Sequence, residues 1–329
     1  MLLLILLVVS TFALVLFGAL RPQRHPPLVL HLDVPPDRAG GQSSTGSSEL
    51  RADSGLRANS DLRADSDLTA ISAVDHGLFG QILQNYGENG GLNYQLLHEN
   101  PRDRARLKSY LAEIAAISPE SHPDAFPSRQ DEMLYWVSAY NALVIDAILE
   151  NWPIKSVTDV RAPLEVVRGF GFFYCQQYMV GRRYYNLYHL ERKKILASYQ
   201  DARLHFMLNC GSGGCPALPR RLPAAVELEE ELERAAVEFI NDAENIYFEP
   251  ATARLYISQI FQWYRSEFLR DQKRAGRPVS LLGYIQHYAH APLSEILLDN
   301  PTPKIVFLEY DWSLNGTGTE RATQATKTD

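Results

Sequence analysis

The chain has 329 residues, 46% hydrophobic and 22% charged, with 32 Lys and Arg against 39 Asp and Glu and a net charge of −7. The pI is about 5.8, and the basic residues are scattered rather than gathered in a stripe, which argues against nucleic acid as a partner. The three cysteines, Cys175, Cys210 and Cys215, are too few for a disulfide scaffold and lack the paired spacing of a structural zinc site, so no metal and no cofactor is expected.

Residues 1–20 carry no charge and are almost all Leu, Val, Phe, Ile and Ala. At about 1.5 Å per helical residue they span roughly 30 Å, the hydrocarbon thickness of a bilayer. They are read as a transmembrane anchor, with a cleaved signal peptide as the alternative, since Thr11-Phe12-Ala13 and Gly18-Ala19-Leu20 approximate small-residue cleavage sites. Arg21, Arg24 and His25 follow the apolar run, which by the positive-inside rule alone favours a cytoplasmic C-terminus. Residues 21–73 are rich in Pro, Gly, Ser and Asp and contain a six-residue repeat beginning at Leu50, Leu56 and Leu62. Such units suit a β-solenoid only if they build a core; with one apolar residue each they read as a disordered stalk. A Ser- and Asp-rich stalk behind an anchor, with no cytoplasmic cofactor motif, points to a periplasmic or extracellular domain.

The folded part is expected as one domain over residues 74–315, followed by a disordered tail, 316–329. Residues 103–117 and 130–151 read as helices. The second begins with Ser128 three positions before Asp131, a capping-box signal, and aligns Met133, Trp136, Val137, Tyr140, Val144 and Ile148 on an apolar face until Trp152-Pro153 ends it. Runs 172–180 and 182–185, joined at Gly181, predict a hairpin, with Cys175 as a core residue on its first strand. Asn186 caps a short helix through Leu196, and residues 204–208 read as an apolar strand entering a glycine-rich turn. Helix 227–241, hairpin strands 246–248 and 255–257, a helix from Ser258 through Leu269 and a last strand 304–310 complete the order. Helices flanking a small, mostly antiparallel sheet make the class α+β.

The stretch from Asp201 to Pro216 holds the candidate chemistry. A strand with His205 and Asn209 on one side, then Cys210-Gly211-Ser212-Gly213-Gly214-Cys215-Pro216, places a thiol at a glycine-rich turn whose free N–H groups favour a thiolate and form an oxyanion-binding concavity. Cys215 is the candidate nucleophile and His205 the candidate base, with His189 as the other histidine of interest; Asn209 or Glu191 would orient the imidazole. The competing readings are a half-buried His205 bonded to backbone and a Cys210–Cys215 disulfide, which a flexible loop of four intervening residues permits. Ser138, Tyr140 and Asn141 add polar groups to an apolar helix, and Asp311 does so between aromatic residues at the last strand; clusters of this kind are commonly structural hydrogen-bond networks. Arg203, Cys210, Ser212 and Asp311 are taken, with Ser138, Tyr140 and Asn141, as lining the same concave site.

These segments resemble the family numbered 547 in the domain-of-unknown-function series. The resemblance rests on Trp136, Ser138, Tyr140 and Asn141, on residues 187–196 with Glu191, on Asp201, Arg203, His205, Phe206, Asn209, Cys210, Ser212, Cys215 and Pro216, and on residues 310–315. It covers roughly residues 133–315 and implies no reaction. This chain departs from the family at Arg192, where many members have histidine, and at Ser138, where many have asparagine.

Two readings follow. One is a cysteine-dependent hydrolase or acyl transferase of papain-like or transglutaminase-like organisation. The other is an envelope module, tethered to the membrane by its N-terminal helix, that binds a peptide, glycan or protein and carries Cys210–Cys215 as a structural bridge. A metal site using His205, Cys210 and Cys215 lacks a fourth ligand nearby.

Overall fold

The computed structural model describes residues 74–316 apart from Leu164 and Val166. The anchor, the stalk and nearly all of the tail inferred from sequence lie outside the described residues. Among the described residues no helix is long and apolar enough to cross a membrane.

Local capping chemistry starts the first helices. Asp75 accepts from Gly77 N at 2.9 Å ahead of α1 (His76–Tyr86). A two-residue-stranded hairpin follows, β1 (Gly87–Glu88) and β2 (Gly91–Leu92), and Asn93 then caps α2 (Tyr94–Glu99). Asn100 accepts from the N–H groups of Arg102 and Asp103 to open α3 (Pro101–Ala116), with proline in the first position, where its missing N–H costs nothing. The expected capping box opens α4 (Arg129–Glu150): Ser128 Oγ accepts from Asp131 N at 3.1 Å, and Asp131 accepts from Ser128 N at 3.0 Å. The helix is wrapped on every side rather than on one face, because every residue from Met133 to Leu149 is buried.

The segment after α4 departs from expectation. Residues 172–175 form no strand; Gly171–Cys175 is a π turn, and Cys175 is exposed rather than in the core. The physical reason is a lack of pairing partners, since β4 (Arg183–Tyr185) is three residues long and pairs only with β3 (Tyr178–Val180). Gly181 and Arg182 at the hairpin turn have φ of +55° and +65°, the paired positive values of a tight hairpin turn. Gly181 is further required because a Cβ there would lie 2.0 Å from Ser118 Oγ.

Asn186 caps the next helical run as expected, accepting from His189 N at 2.7 Å. That run is α5 (Leu187–His189), a wide π segment (Leu190–Leu196) and α6 (Ala197–Tyr199). The expected strand at residues 204–208 is instead a 3-10 helix, Ala202–Phe206. Asp201 accepts from Arg203 N at 2.9 Å and starts the tight turns, which continue from Met207 N to Leu204 O at 3.0 Å. With no strand beside it, an apolar run satisfies its backbone by coiling.

The remainder is α7 (Leu228–Asn241), β5 (Ile246–Glu249), β6 (Arg254–Ile257), α8 (Ile260–Trp263), α9 (Arg265–Arg274), α10 (Leu281–Tyr288), α11 (Leu293–Asp299) and β7 (Lys304–Phe307). Strand β6 lies between β5, antiparallel with Ile246 opposite Ile257, and β7, parallel with Arg254 beside Lys304. The class is α+β, with the strands in two hairpins and this one three-stranded sheet.

Two apolar cores result. One surrounds α4 and takes in α1, α3 and the 187–199 run; the other packs α7 to α11 on the three-stranded sheet. Residues 202–218 stitch them together: Leu204, Met207, Leu208 and Leu218 enter the first, and Ala202, Phe206 and Cys215 the second.

Candidate functional site

The loop after the 3-10 helix is built by amides. Asn141 on α4 donates to Met207 O at 2.9 Å and accepts from Asn209 N at 2.9 Å. Asn209 in turn donates to Pro216 O at 2.7 Å and accepts from Gly211 N at 2.9 Å and from Asn315 Nδ2 at 3.0 Å. Tyr94 OH donates to Asn315 Oδ1 at 2.8 Å and closes the chain of bonds. Asn141 and Asn209 are 2% and 3% exposed, so both are supports of the loop rather than groups presented to a ligand.

The C-terminal segment clasps the loop from the other side. Gly213 N donates to Ser313 O, Gly214 N to Asp311 O, and Asn315 N to Gly211 O, at 2.7–3.0 Å. Asp311 turns its own carboxylate to Ser313 N at 2.8 Å, shaping this segment. Gly211 has φ +82°, and a Cβ there would lie 2.5 Å from Ile148 Cδ1, so the loop also abuts α4.

Inside the clasp Cys210 and Cys215 form a disulfide, their α-carbons 6.1 Å apart. Cys215 Sγ receives the Cys210 N–H at 2.9 Å, and Tyr310 OH lies 3.1 Å from each sulfur. Burial, then the charges of Glu191 and Asp311, push the Tyr310 phenol well above its ordinary range, so it stays a donor. Ser212 is fully buried beside it.

Glu191 belongs to this neighbourhood through hydroxyls. It accepts from Tyr264 OH at 2.5 Å and from Tyr140 OH at 3.4 Å. Burial and then the Glu191 charge hold both phenols far above their usual range. Around it lie two aromatic groups, the stacked pair Tyr174 and Tyr188 at 4.4 Å and the trio Trp263, Tyr310 and Trp312, in which Trp263 is 46% exposed.

His205 does not serve Cys215. Its Nε2 meets Glu267 Oε2 at 2.8 Å, its ring lies on Tyr264 with centroids 3.9 Å apart, and its side chain is 3% exposed. Arg192 binds the other oxygen of Glu267 at 2.9 Å and sits over the Tyr264 ring. Burial opposes ionisation of Glu267, yet the His205 hydrogen bond and the neighbouring Arg192 guanidinium hold its carboxyl below the ordinary value. The coiled backbone explains the changed direction, since a 3-10 turn breaks the strand alternation that would put His205 and Asn209 on one side. His189 packs edge-on against Tyr185. Arg203 pairs with Asp201, Glu229 and Glu233, not with Glu191.

Ser138 is fully buried in α4 near Tyr110 and lines no opening. Two surface hollows, one at Glu230 and Val237 and one at Arg129, Met133 and Tyr199, contain none of the Cys-loop residues. The structure therefore gathers Cys210, Ser212, Cys215, Tyr140 and Glu191 about Tyr310. Sequence reasoning missed Tyr264 and Glu267; the one signal for the latter is Arg192, a cation facing inward that requires a carboxylate. Among the described residues no cluster of side chains could hold a metal ion.

Residues 125–240, from just before α4 to the end of α7, match the family model described as "Protein of unknown function, DUF547". No curated protein and no solved structure matches the chain.

Proposed function

We propose, for a chain whose residues 125–240 belong to the DUF547 family, a membrane-tethered module that works outside the cytoplasm and binds a peptide, glycan or protein rather than hydrolysing one. The observation that carries this reading is the Cys210–Cys215 disulfide, which occupies the thiol a hydrolase would need and suits an oxidising compartment. His205, engaged by Glu267 and buried, supports the same conclusion. The exposed Trp263 and Tyr188 beside Glu191 supply the amphipathic aromatic surface that recognition sites favour. A flexible stalk of about 50 residues would let the module reach roughly 40 Å from the membrane.

A second reading is a thiol-dependent hydrolase or acyl transferase active only after reduction, with papain-like or transglutaminase-like organisation. It is favoured by the two donors on Cys215 Sγ, which would hold a thiolate. Its base would have to act through Tyr310 and Glu191.

One labelling experiment tests the first reading. A membrane-impermeant maleimide on intact spheroplasts is expected to modify Cys175 alone, since it is the exposed free thiol. Reduction under denaturing conditions is expected to raise the count to three. No label on intact spheroplasts would reverse the orientation, and three labels without reductant would remove the bridge.

A further inference from the structure

We infer that the Cys210–Cys215 bridge is an exchange-competent disulfide, in which an external thiolate attacks Cys210 Sγ and Cys215 leaves, so that the domain takes two electrons from a dithiol protein. This goes beyond the binding reading, with which it shares the bridge itself, and adds the unequal access of the two sulfurs and the donors around them.

The two sulfurs are not equivalent. Cys210 is partly open to solvent, whereas Cys215 is 7% exposed and packs in the second core with Phe206. An attacking thiolate must approach one sulfur with the other departing behind it, so access selects Cys210 as the attacked atom. The leaving sulfur is the one already provided with donors. Cys210 N–H points at Cys215 Sγ at 2.9 Å, and Tyr310 OH, 3.1 Å from both sulfurs, can direct its single proton to whichever becomes negative. Charge-assisted hydrogen bonds of this kind are the strong ones, and a leaving thiol stabilised as thiolate departs faster. The nearby Glu191 charge is engaged by the Tyr264 and Tyr140 hydroxyls.

The loop also holds its shape by means other than the bridge. Its amides bond to Ser313, Asp311 and Asn209, and Asn315 bonds back to Gly211. Opening the disulfide would leave these bonds in place. A cross-link between positions five apart constrains the unfolded chain less than one that closes a long loop.

The exchange balances without any other reagent. The partner's first thiolate bonds to Cys210 Sγ as the Cys210–Cys215 bond breaks and its electron pair passes to Cys215. The partner's second thiolate then attacks its own sulfur in the mixed disulfide and releases Cys210. The partner dithiol is oxidised to a disulfide, the two domain cysteines become thiols, and the two protons of the partner thiols end on them. Tyr310 donates a hydrogen bond throughout and transfers no proton.

The test uses the oxidised full-length chain in a Cys175→Ser background, treated in native buffer with reduced glutathione, then alkylated and mapped by peptide mass spectrometry. The expected adduct places glutathione on Cys210 and the alkyl group on Cys215. Tyr310→Phe, which keeps the ring, is expected to slow opening by roughly tenfold or more with the melting temperature of the oxidised form unchanged. Should Tyr310→Phe fail to fold, the single-cysteine variants decide: Cys215→Ser must form a mixed disulfide with oxidised glutathione faster than Cys210→Ser does. Glutathione found on Cys215, opening only in denaturant, wild-type opening in Tyr310→Phe, or the reverse order in the single-cysteine pair would each overturn the inference.

Discussion

Asn209 uses both ends of its amide in the interior, donating to Pro216 O and accepting from Gly211 N and the Asn315 amide. Asn209→Ala would strand these and is expected to cost about 2–4 kcal/mol, read as a lower denaturant midpoint at unchanged slope. A loss below about 0.5 kcal/mol would mean that water replaces the amide. Asn141 and Asn209 stand out in the sequence because polar side chains inside apolar segments require partners, and that much was legible. Their partners were not, because Asn315 lies 106 positions away and no local rule connects them. His205 was misassigned for a related reason. Its side was inferred from strand alternation, and a turn of 3-10 helix rotates each side chain by about a third of a circle instead.

At the level of elements, α4 was the most legible, since a capping box opens it and a proline follows its end. Its burial on all sides was less so, because the apolar residues named from the sequence align as a single stripe. In the fold Asp146 is 8% exposed and held by Lys108 Nζ from α3 at 2.8 Å, with Glu150 at 2.9 Å from the same ammonium. Burial pushes the Asp146 carboxyl up against the pull of Lys108. Lys108→Met should destabilise the α3–α4 contact by about 1–3 kcal/mol at neutral pH, below the full cost of an unpaired buried charge because the lysine side chain is 38% exposed. Adding Asp146→Leu should restore most of the loss; a double variant as unstable as the sum of the singles would show that the pair does not couple. The apolar run at residues 204–208 was read as a strand for want of any sequence sign distinguishing a short strand from a short helical turn.

At the level of the whole molecule, the α+β class follows from sequence, whereas the division into two cores does not, because the stitch at residues 202–218 looks like one more secondary-structure element until both partners are in place. The stalk inferred at residues 21–70 carries no core-forming pattern, so its deletion is expected to leave the melting temperature nearly unchanged. A fall of more than about 5 °C, on the order of 1 kcal/mol for a domain of this size, would show that it packs on the rest.

The clasp of residues 311–315 over the cysteine loop has a consequence in time. Synthesis at about 5–20 residues per second takes roughly 5–20 s to cover the 106 positions between Asn209 and Asn315. Cys210 and Cys215, five positions apart, leave the ribosome almost together, well before Tyr310 has been made. The nascent loop therefore meets the oxidants of its surroundings bare, and the clasp, synthesised last, packs over whichever oxidation state it finds.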